Sequence, residues 1–275
     1  MSTLDVPPLS PGERASGRGS ALRSQRLPGL RLGVGARSAA LRSALGDDAG
    51  RFLELGRPVG ETGPETVLGE ELRPTAERAV GSAVKRLIDI AGALFGLALF
   101  APLLALIAVL IRLESPGPAL FRQRRTGLGG VPFQIYKFRT MRVAEDGTRI
   151  VQASRGDCRV TRLGAFLRQS CFDELPQLLN VLKGEMSLVG PRPHAVAHDG
   201  YYGGLIPDYE TRFLVRPGIS GLAQVTGFRG ETPNIESMAR RVDMDLCYIR
   251  HWSVALDLRI LVQTAFEGPF HPAAY

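Results

Sequence analysis

The 275-residue sequence predicts an α+β protein, mostly helical, with an N-terminal re-entrant membrane helix hairpin followed by a compact cytoplasmic domain with a small β element. Three observations carry that expectation. An uncharged run of 22 residues, Ile90 to Ile111, contains Pro102 and has basic residues on both flanks. Beyond residue 160, apolar residues recur at helical spacing in four stretches. Strand-like alternation is confined to a short segment, Pro132–Phe138.

Residues 1–82 are rich in Gly, Pro, Ser, Arg and Ala and keep no apolar period for long, apart from a short helical stretch around Ala39–Leu55. That composition predicts a disordered N-terminal tail over 1–82. The first residues lack the apolar core of a cleaved signal peptide, so export is not expected. The composition then changes sharply at "VKRLIDIAGALFGLALFAPLLALIAVLIRLESPGP". Its uncharged run is close to the roughly 20 residues that span a bilayer as a helix. Pro102 removes a helix hydrogen bond at the middle of that run and predicts a kink or break. Lys85 and Arg86 precede the run, and Arg112, Arg122, Arg124 and Arg125 follow it. Such residues prefer the cytoplasmic side of a membrane. A membrane helix over 83–113 that breaks at Pro102 and returns to the same face satisfies both facts. A straight crossing and a buried soluble helix are the alternatives.

The turn "ESPGP" ends this segment. A strand or hairpin is predicted around the Gly127–Gly130 turn, with Pro132–Phe138 as one arm. "VTRLGAFLRQS" has the helical period with basic residues interspersed. "DELPQLLNVLKGE" predicts a helix with acids in its first turn, Pro176 near its start and Gly184 at its end. "IESMARRVDMDLCYIRHW" and "SVALDLRILVQTAFEG" supply two more helices. This domain is placed at 114–268, leaving a C-terminal tail at 269–275.

The net charge of +7 and pI of about 9.8 call for acidic partners: nucleic acid, anionic lipid or phosphorylated substrates. Aromatic content is only 7%, and no basic run is interleaved with aromatic residues, which argues against nucleic acid. Cys158, Cys171 and Cys247 are odd in number and far apart, so they read as free thiols in a reducing compartment. The sequence has no HExxH, paired CxxC or Walker motif.

The residues with chemical promise begin at Asp173–Glu174. Free N–H groups and the macrodipole at a helix start favour anions and predict that both acids are ionised. Adjacent helical side chains differ in direction by about 100°, so both carboxylates can face one small volume. One could attack an electrophile while the other holds a divalent cation. The alternative is a pair of acids that only stabilises the helix. Arg168 lies about a turn earlier, Arg192 stands between two prolines, Arg216 sits in "VRPG", and Lys137 and Arg139 flank Phe138 in "YKFRTM". Guanidinium forks are natural clamps for phosphate oxygens, although each of these residues could equally be a surface charge. With 31 Arg and three Lys in the chain, the choice of lysine at 137 is itself a hint of need.

Taken in order, "KRLIDI", "SPGPALFRQRRTG", "FQIYKFRTM", "TRLGAFLRQSCFDELPQLLNVLKGEMSLVGPRP", "RPGISGLAQVTG" and "DLCYIRHWSVALDLRIL" resemble the bacterial sugar transferases, the monotopic phosphoglycosyl transferases. The resemblance covers about residues 84 to 268, and the chain resembles the short form of the family with a tail added. It implies transfer of a sugar-1-phosphate from a UDP-sugar to undecaprenyl phosphate at the cytoplasmic face of the bacterial inner membrane, with release of UMP. This is the first membrane step of exopolysaccharide biosynthesis. It implies Asp173 as the nucleophile and Glu174 as the ligand of a required Mg²⁺. Lys137, Arg168, Arg192 and Asp257 match positions lining the family's site, and Arg216 lies in the neighbouring RPG motif. Arg139 is placed with the substrate-binding set.

The resemblance also implies contact with inner-membrane lipids and no nucleic acid, and it leaves a homodimer open. Ala101-Pro102 stands where the family usually has Ser-Pro at the membrane helix break. "GLAQVTGFRGETPNIESMARRVDMDL" resembles members that transfer glucose-1-phosphate, with galactose-1-phosphate or an acetamidosugar-1-phosphate as alternatives. A non-catalytic membrane-anchored scaffold and a binder of anionic lipid or nucleic acid are the rival classes. Neither rival requires an acid pair among phosphate-binding turns.

Overall fold

The structure is a computed structural model that describes residues 66–142 and 157–267, apart from Arg229, Glu231 and Pro233. The elements run α1 (Thr66–Gly81), α2 (Ala83–Glu114), β1 (Leu120–Thr126), β2 (Pro132–Phe138), α3 (Arg162–Ser170), a 3₁₀ turn (Phe172–Gln177) and α4 (Leu178–Lys183). They continue with β3 (Ser187–Val189), α5 (Val196–Gly203), a second 3₁₀ turn (Tyr209–Leu214), β4 (Gly218–Ser220), α6 (Leu222–Val225), α7 (Ile235–Arg250) and α8 (Val254–Glu267). The mostly helical class with a small β element is as expected. The helical stretch around Ala39–Leu55 and the tail at 269–275 lie outside the described residues.

The boundary of the tail needs correction. Residues 66–81, placed in a disordered segment, form α1, and Leu68, Leu72, Ala76 and Ala79 are buried in the main core. These four recur at intervals of four, four and three residues, so they share one helical face. They pack in one cluster with Val242, Leu246 and Ile249 of α7 and Ile260 of α8. The signal was present but diluted by the polar face of the helix and by Pro74 within it.

The break at Pro102 is also corrected. The segment forms a single 32-residue helix, continuous through Pro102. It is long and apolar enough to cross a membrane. The domain supports it on both sides of the proline. Ala93 and Leu97 pack with Leu178 and Val181 of α4, while Ile107 and Ile111 pack with Phe138 of β2 and Leu167 of α3. Phe100 meets Phe172 at a centroid distance of 6.4 Å. Pro102 itself is exposed, so its ring falls on the side away from these contacts. Leu94, Phe95, Leu99, Leu106 and Val109 are each more than half exposed, so the helix presents a wide apolar face.

β1 and β2 form the expected antiparallel hairpin, with Leu120 opposite Phe138 and Thr126 opposite Pro132. The second sheet is a two-stranded parallel pair, β3 with β4. It brings two proline turns together. A Cβ at Gly190 would lie 2.4 Å from the Arg216 carbonyl oxygen, and one at Gly218 would lie 2.1 Å from the Gly190 nitrogen. Only glycine at both positions lets "GPRP" abut "RPG".

Candidate active site

The acid pair sits in the 3₁₀ turn between α3 and α4 and not in the α-helical first turn expected. α3 ends at Cys171, which adopts the left-handed conformation with φ 60° and reverses the chain. The next residues turn inward, and Asp173 and Glu174 are each only 9% exposed. β2 brings Lys137 to them. Asn180 of α4 pins that strand, accepting from the Tyr136 N–H at 3.0 Å and donating to the Gln134 carbonyl at 2.6 Å. From the Pro191–Pro193 turn comes Arg192.

Glu174 is paired through both of its oxygens. Its Oε1 accepts from Lys137 Nζ at 2.9 Å and from Arg192 Nη2 at 2.5 Å, and its Oε2 accepts from Arg192 Nη1 at 3.1 Å. Burial alone would raise its pKa, but the charges and hydrogen bonds of Arg192 and Lys137 hold it well below the usual carboxylate range. The same burial lowers the pKa of Lys137, with Glu174 opposing the shift.

Asp173 differs. Among the described residues it makes no hydrogen bond or ion pair. Burial, and then the neighbouring Glu174 charge, raises its pKa to about 6, against the pull of Lys137, Arg168 and Arg192. At neutral pH both acids are still mostly ionised, as the sequence predicts, but Asp173 holds its proton more tightly than a free carboxyl does. Burial of two adjacent carboxylates outweighs the end of a short 3₁₀ turn. Arg168, in the last turn of α3, is held beside Asp173 by donating to Thr140 Oγ1 at 3.0 Å and Met141 Sδ at 3.2 Å.

Lys137, Arg168 and Arg192 are therefore gathered around the acid pair. Three other expected site residues have different partners. Arg139 closes the C-terminus of α2, donating to the carbonyls of Pro116 at 2.5 Å and Ser115 at 2.7 Å. Arg216 ties the carbonyl of Gly184 to that of Val80, joining the ends of α4 and α1. Asp257 is 3% exposed and accepts from Lys85 Nζ at 2.7 Å, Tyr248 Oη at 2.7 Å and Trp252 Nε1 at 3.1 Å. In each case a helix end or a buried cation needed a partner nearby, and the side chain meets that need.

The sequence reading overlooked Lys85 and Asp89, which fasten α2 to the domain. Lys85 also donates to the Val189 carbonyl at 3.0 Å, and Asp89 accepts from the Ser187 hydroxyl and the Leu188 N–H at 2.9 and 2.8 Å. The scarcity of lysine that drew attention to Lys137 would have marked Lys85 equally.

A paired carboxylate site flanked by one ammonium and two guanidinium groups suits a phosphorylated ligand. A profile of the bacterial sugar transferases matches residues 80–269. The chain belongs to the bacterial sugar transferase family. Among the relatives, it is 54% identical over 226 residues to a UDP-glucose:undecaprenyl-phosphate glucose-1-phosphate transferase of Caulobacter vibrioides, covering 82% of this chain and 83% of that one. An Escherichia coli protein of the same name is 49% identical over 204 residues, or 74% of this chain and 44% of that one. An Aeromonas hydrophila UDP-N-acetylgalactosamine-undecaprenyl-phosphate N-acetylgalactosaminephosphotransferase is 44% identical over 181 residues, or 66% of this chain and 42% of that one. The chain thus spans less than half the length of these last two sugar transferases. The acid pair, the "GPRP" turn and Lys137 all fall within the family match.

Proposed function

We propose that the protein transfers a sugar-1-phosphate, glucose-1-phosphate first among the candidates, from a UDP-sugar to undecaprenyl phosphate, as the initiating membrane step of exopolysaccharide biosynthesis. The observation that carries this reading is Asp173: a buried carboxylate with no side-chain hydrogen-bond partner among the described residues, beside an acid already paired and ringed by three cations. An unpaired carboxylate is available to attack, and a pKa of about 6 leaves it mostly ionised at neutral pH.

In the first step an Asp173 oxygen bonds to the sugar-side phosphorus of the diphosphate. The bond from that phosphorus to the oxygen of the UMP phosphate breaks, and UMP leaves with the electron pair. In the second step a phosphate oxygen of undecaprenyl phosphate attacks the same phosphorus and the bond to Asp173 breaks, restoring the free carboxylate. Lys137, Arg168 and Arg192 offset the repulsion between carboxylate and diphosphate, and they stabilise the charge that develops on the leaving UMP. The family resemblance implies Mg²⁺, and the donors fit it. Mg²⁺ takes one or two protein carboxylates, with substrate phosphates and water completing its shell, and Glu174 keeps lone-pair capacity beyond its three hydrogen bonds. When bound there it would neutralise diphosphate charge.

Both halves of α2 lie against the same domain, at Ala93 and at Ile107 and Ile111, and this packing supports an unbroken helix lying along one face of the membrane with both of its ends on that side. An apolar groove of about 990 Å³ at the C-terminal end of α2, lined by Val109, Leu120 and Phe121 with Arg112 and Arg122 among its residues, offers a polyprenyl chain and its phosphate matching surfaces.

The test is UMP release by the full chain with undecaprenyl phosphate and a panel of UDP-glucose, UDP-galactose, UDP-N-acetylglucosamine and UDP-N-acetylgalactosamine. Fastest turnover with UDP-glucose is expected. The name of the Aeromonas relative supports an acetamido sugar as the second reading. Release from none of the four would end the proposal.

A further inference from the structure

The Pro-Arg-Pro turn must hold Arg192 rigidly, yet its two prolines have no N–H to donate. It is held through its carbonyls. Pro191 O accepts from the Gly218 N–H at 2.9 Å, Pro193 O from Arg125 Nη1 at 3.1 Å, and Arg192 O from Arg212 Nη2 at 2.6 Å. The third of these is built from the inside of the protein. Arg212 is 3% exposed, and its Nε donates to Asp245 Oδ2 at 2.9 Å, with Asp245 1% exposed. Its guanidinium carbon lies 5.0 Å from the centre of the Tyr209 ring. Its Nη1 faces His194 Nδ1 at 3.0 Å. Burial, and then the charge of Arg212, keeps the His194 pKa well below the usual range, so the ring is neutral, and its Nδ1 also lies 2.7 Å from the Tyr209 hydroxyl. Tyr209 in turn donates to Asp199 Oδ1 at 2.6 Å.

We infer that Arg212 is a positioning residue for the transferase site: clamped by Asp245 and His194, it fixes the backbone of Arg192 and so sets the two-pronged contact of Arg192 with Glu174. This assignment rests on the proposed function. Three nitrogens of a planar fork make contacts in fixed directions here, to Asp245, His194 and the Arg192 carbonyl, a geometry that an ammonium cannot reproduce. The Arg192 contact with Glu174 is bidentate, at 3.1 and 2.5 Å, so rotation of the turn would break one prong before the other. Arg212 touches neither acid in any hydrogen bond, so its effect on turnover must pass through Arg192.

A double-mutant cycle on the full chain separates this role from a merely structural one. Arg212→Lys keeps a cation for Asp245 but loses the fork. It should lower kcat/KM for UDP-sugar by about 10- to 100-fold, the scale on which a displaced reacting group costs rate. In an Arg192→Ala background the same change should lower the residual rate by less than about threefold, because the group it positions is gone. Asp245→Asn, close to isosteric, should follow the same pattern and carries the cycle if Arg212→Lys does not fold, which thermal melting would reveal. Losses that multiply in the double variants would overturn the inference while leaving the acid-pair site intact. So would wild-type turnover by both Arg212→Lys and Asp245→Asn. Full turnover by Arg192→Ala would instead overturn the reading of the site itself, and the inference with it.

Discussion

Asp257→Ala is the most decisive single change, because family resemblance and geometry assign this residue different work. Resemblance puts it with the substrate, whereas the structure pairs it with Lys85, its side chain 4% exposed against 11% for the lysine. Removing it strands a buried ammonium that retains only the Val189 carbonyl at 3.0 Å and the Tyr248 hydroxyl at 3.4 Å. It also leaves the Trp252 indole N–H without its acceptor, and the Tyr248 hydroxyl with only the Val189 carbonyl at 3.1 Å. Breaking a buried pair from one side costs about 3–5 kcal/mol. At roughly 2–4 °C per kcal/mol for a domain of this size, the melting temperature should fall by on the order of 10 °C. The Lys85→Met/Asp257→Leu pair should recover much of that loss, since no charge is left unpaired. The assay is thermal melting of the purified protein in detergent, with kinetics on the fraction that remains folded. A folded Asp257→Ala protein with an unchanged melting temperature and a raised KM for UDP-sugar would refute the anchoring role. It would return Asp257 to the substrate site.

Five further outcomes follow from the same geometry. Asp173→Asn should abolish UMP release without unfolding the protein, because an amide is no nucleophile for phosphorus; a folded variant with substantial turnover would exclude the covalent route. Single-turnover attack should lose rate as pH falls through about 6, since the raised pKa of Asp173 leaves about a tenth of it ionised at about pH 5. The sign for stability is opposite: the fold binds this proton more tightly than the unfolded chain, so the contribution is full below the unfolded value and is lost as pH rises through about 6. Glu174→Gln should move that acid limb to lower pH while reducing the rate, because Glu174 is the charge that raises Asp173; an unmoved limb would separate the two acids. Deleting residues 1–81 should destabilise the domain by several kcal/mol, at about 1.5–3 kcal/mol for each buried leucine of α1, whereas deleting 1–65 leaves that packing untouched; equal melting temperatures would remove α1 from the core. Finally, single cysteines at Gly81 and Arg124, both exposed, should be equally shielded from an impermeant thiol reagent in intact cells lacking the native cysteines. Labelling at one site alone would mean that α2 crosses the membrane.

Local order was legible in the sequence where it depends on a few neighbouring residues. The apolar run marked α2, the alternation at Pro132–Phe138 marked the hairpin, Gly184 marked the end of α4 with φ 82°, and the juxtaposed acids marked the site. Phosphate chemistry needs cations and stiff turns present them, which singled out Lys137, Arg168 and Arg192, and the structure places these three around the acid pair. Tertiary structure alone decided which charges meet. Lys85 finds Asp257 across 172 positions of sequence, and Lys137 finds Glu174 across 37, distances at which periodicity carries no information. The same packing diverted Arg139 and Arg216 to helix ends, carried α2 unbroken through Pro102 and drew α1 into the core. It also divided two adjacent carboxylates into a paired anion and an unpaired acid with a pKa of about 6. Burial and the position of a neighbouring charge set a protonation state, and both belong to the folded chain.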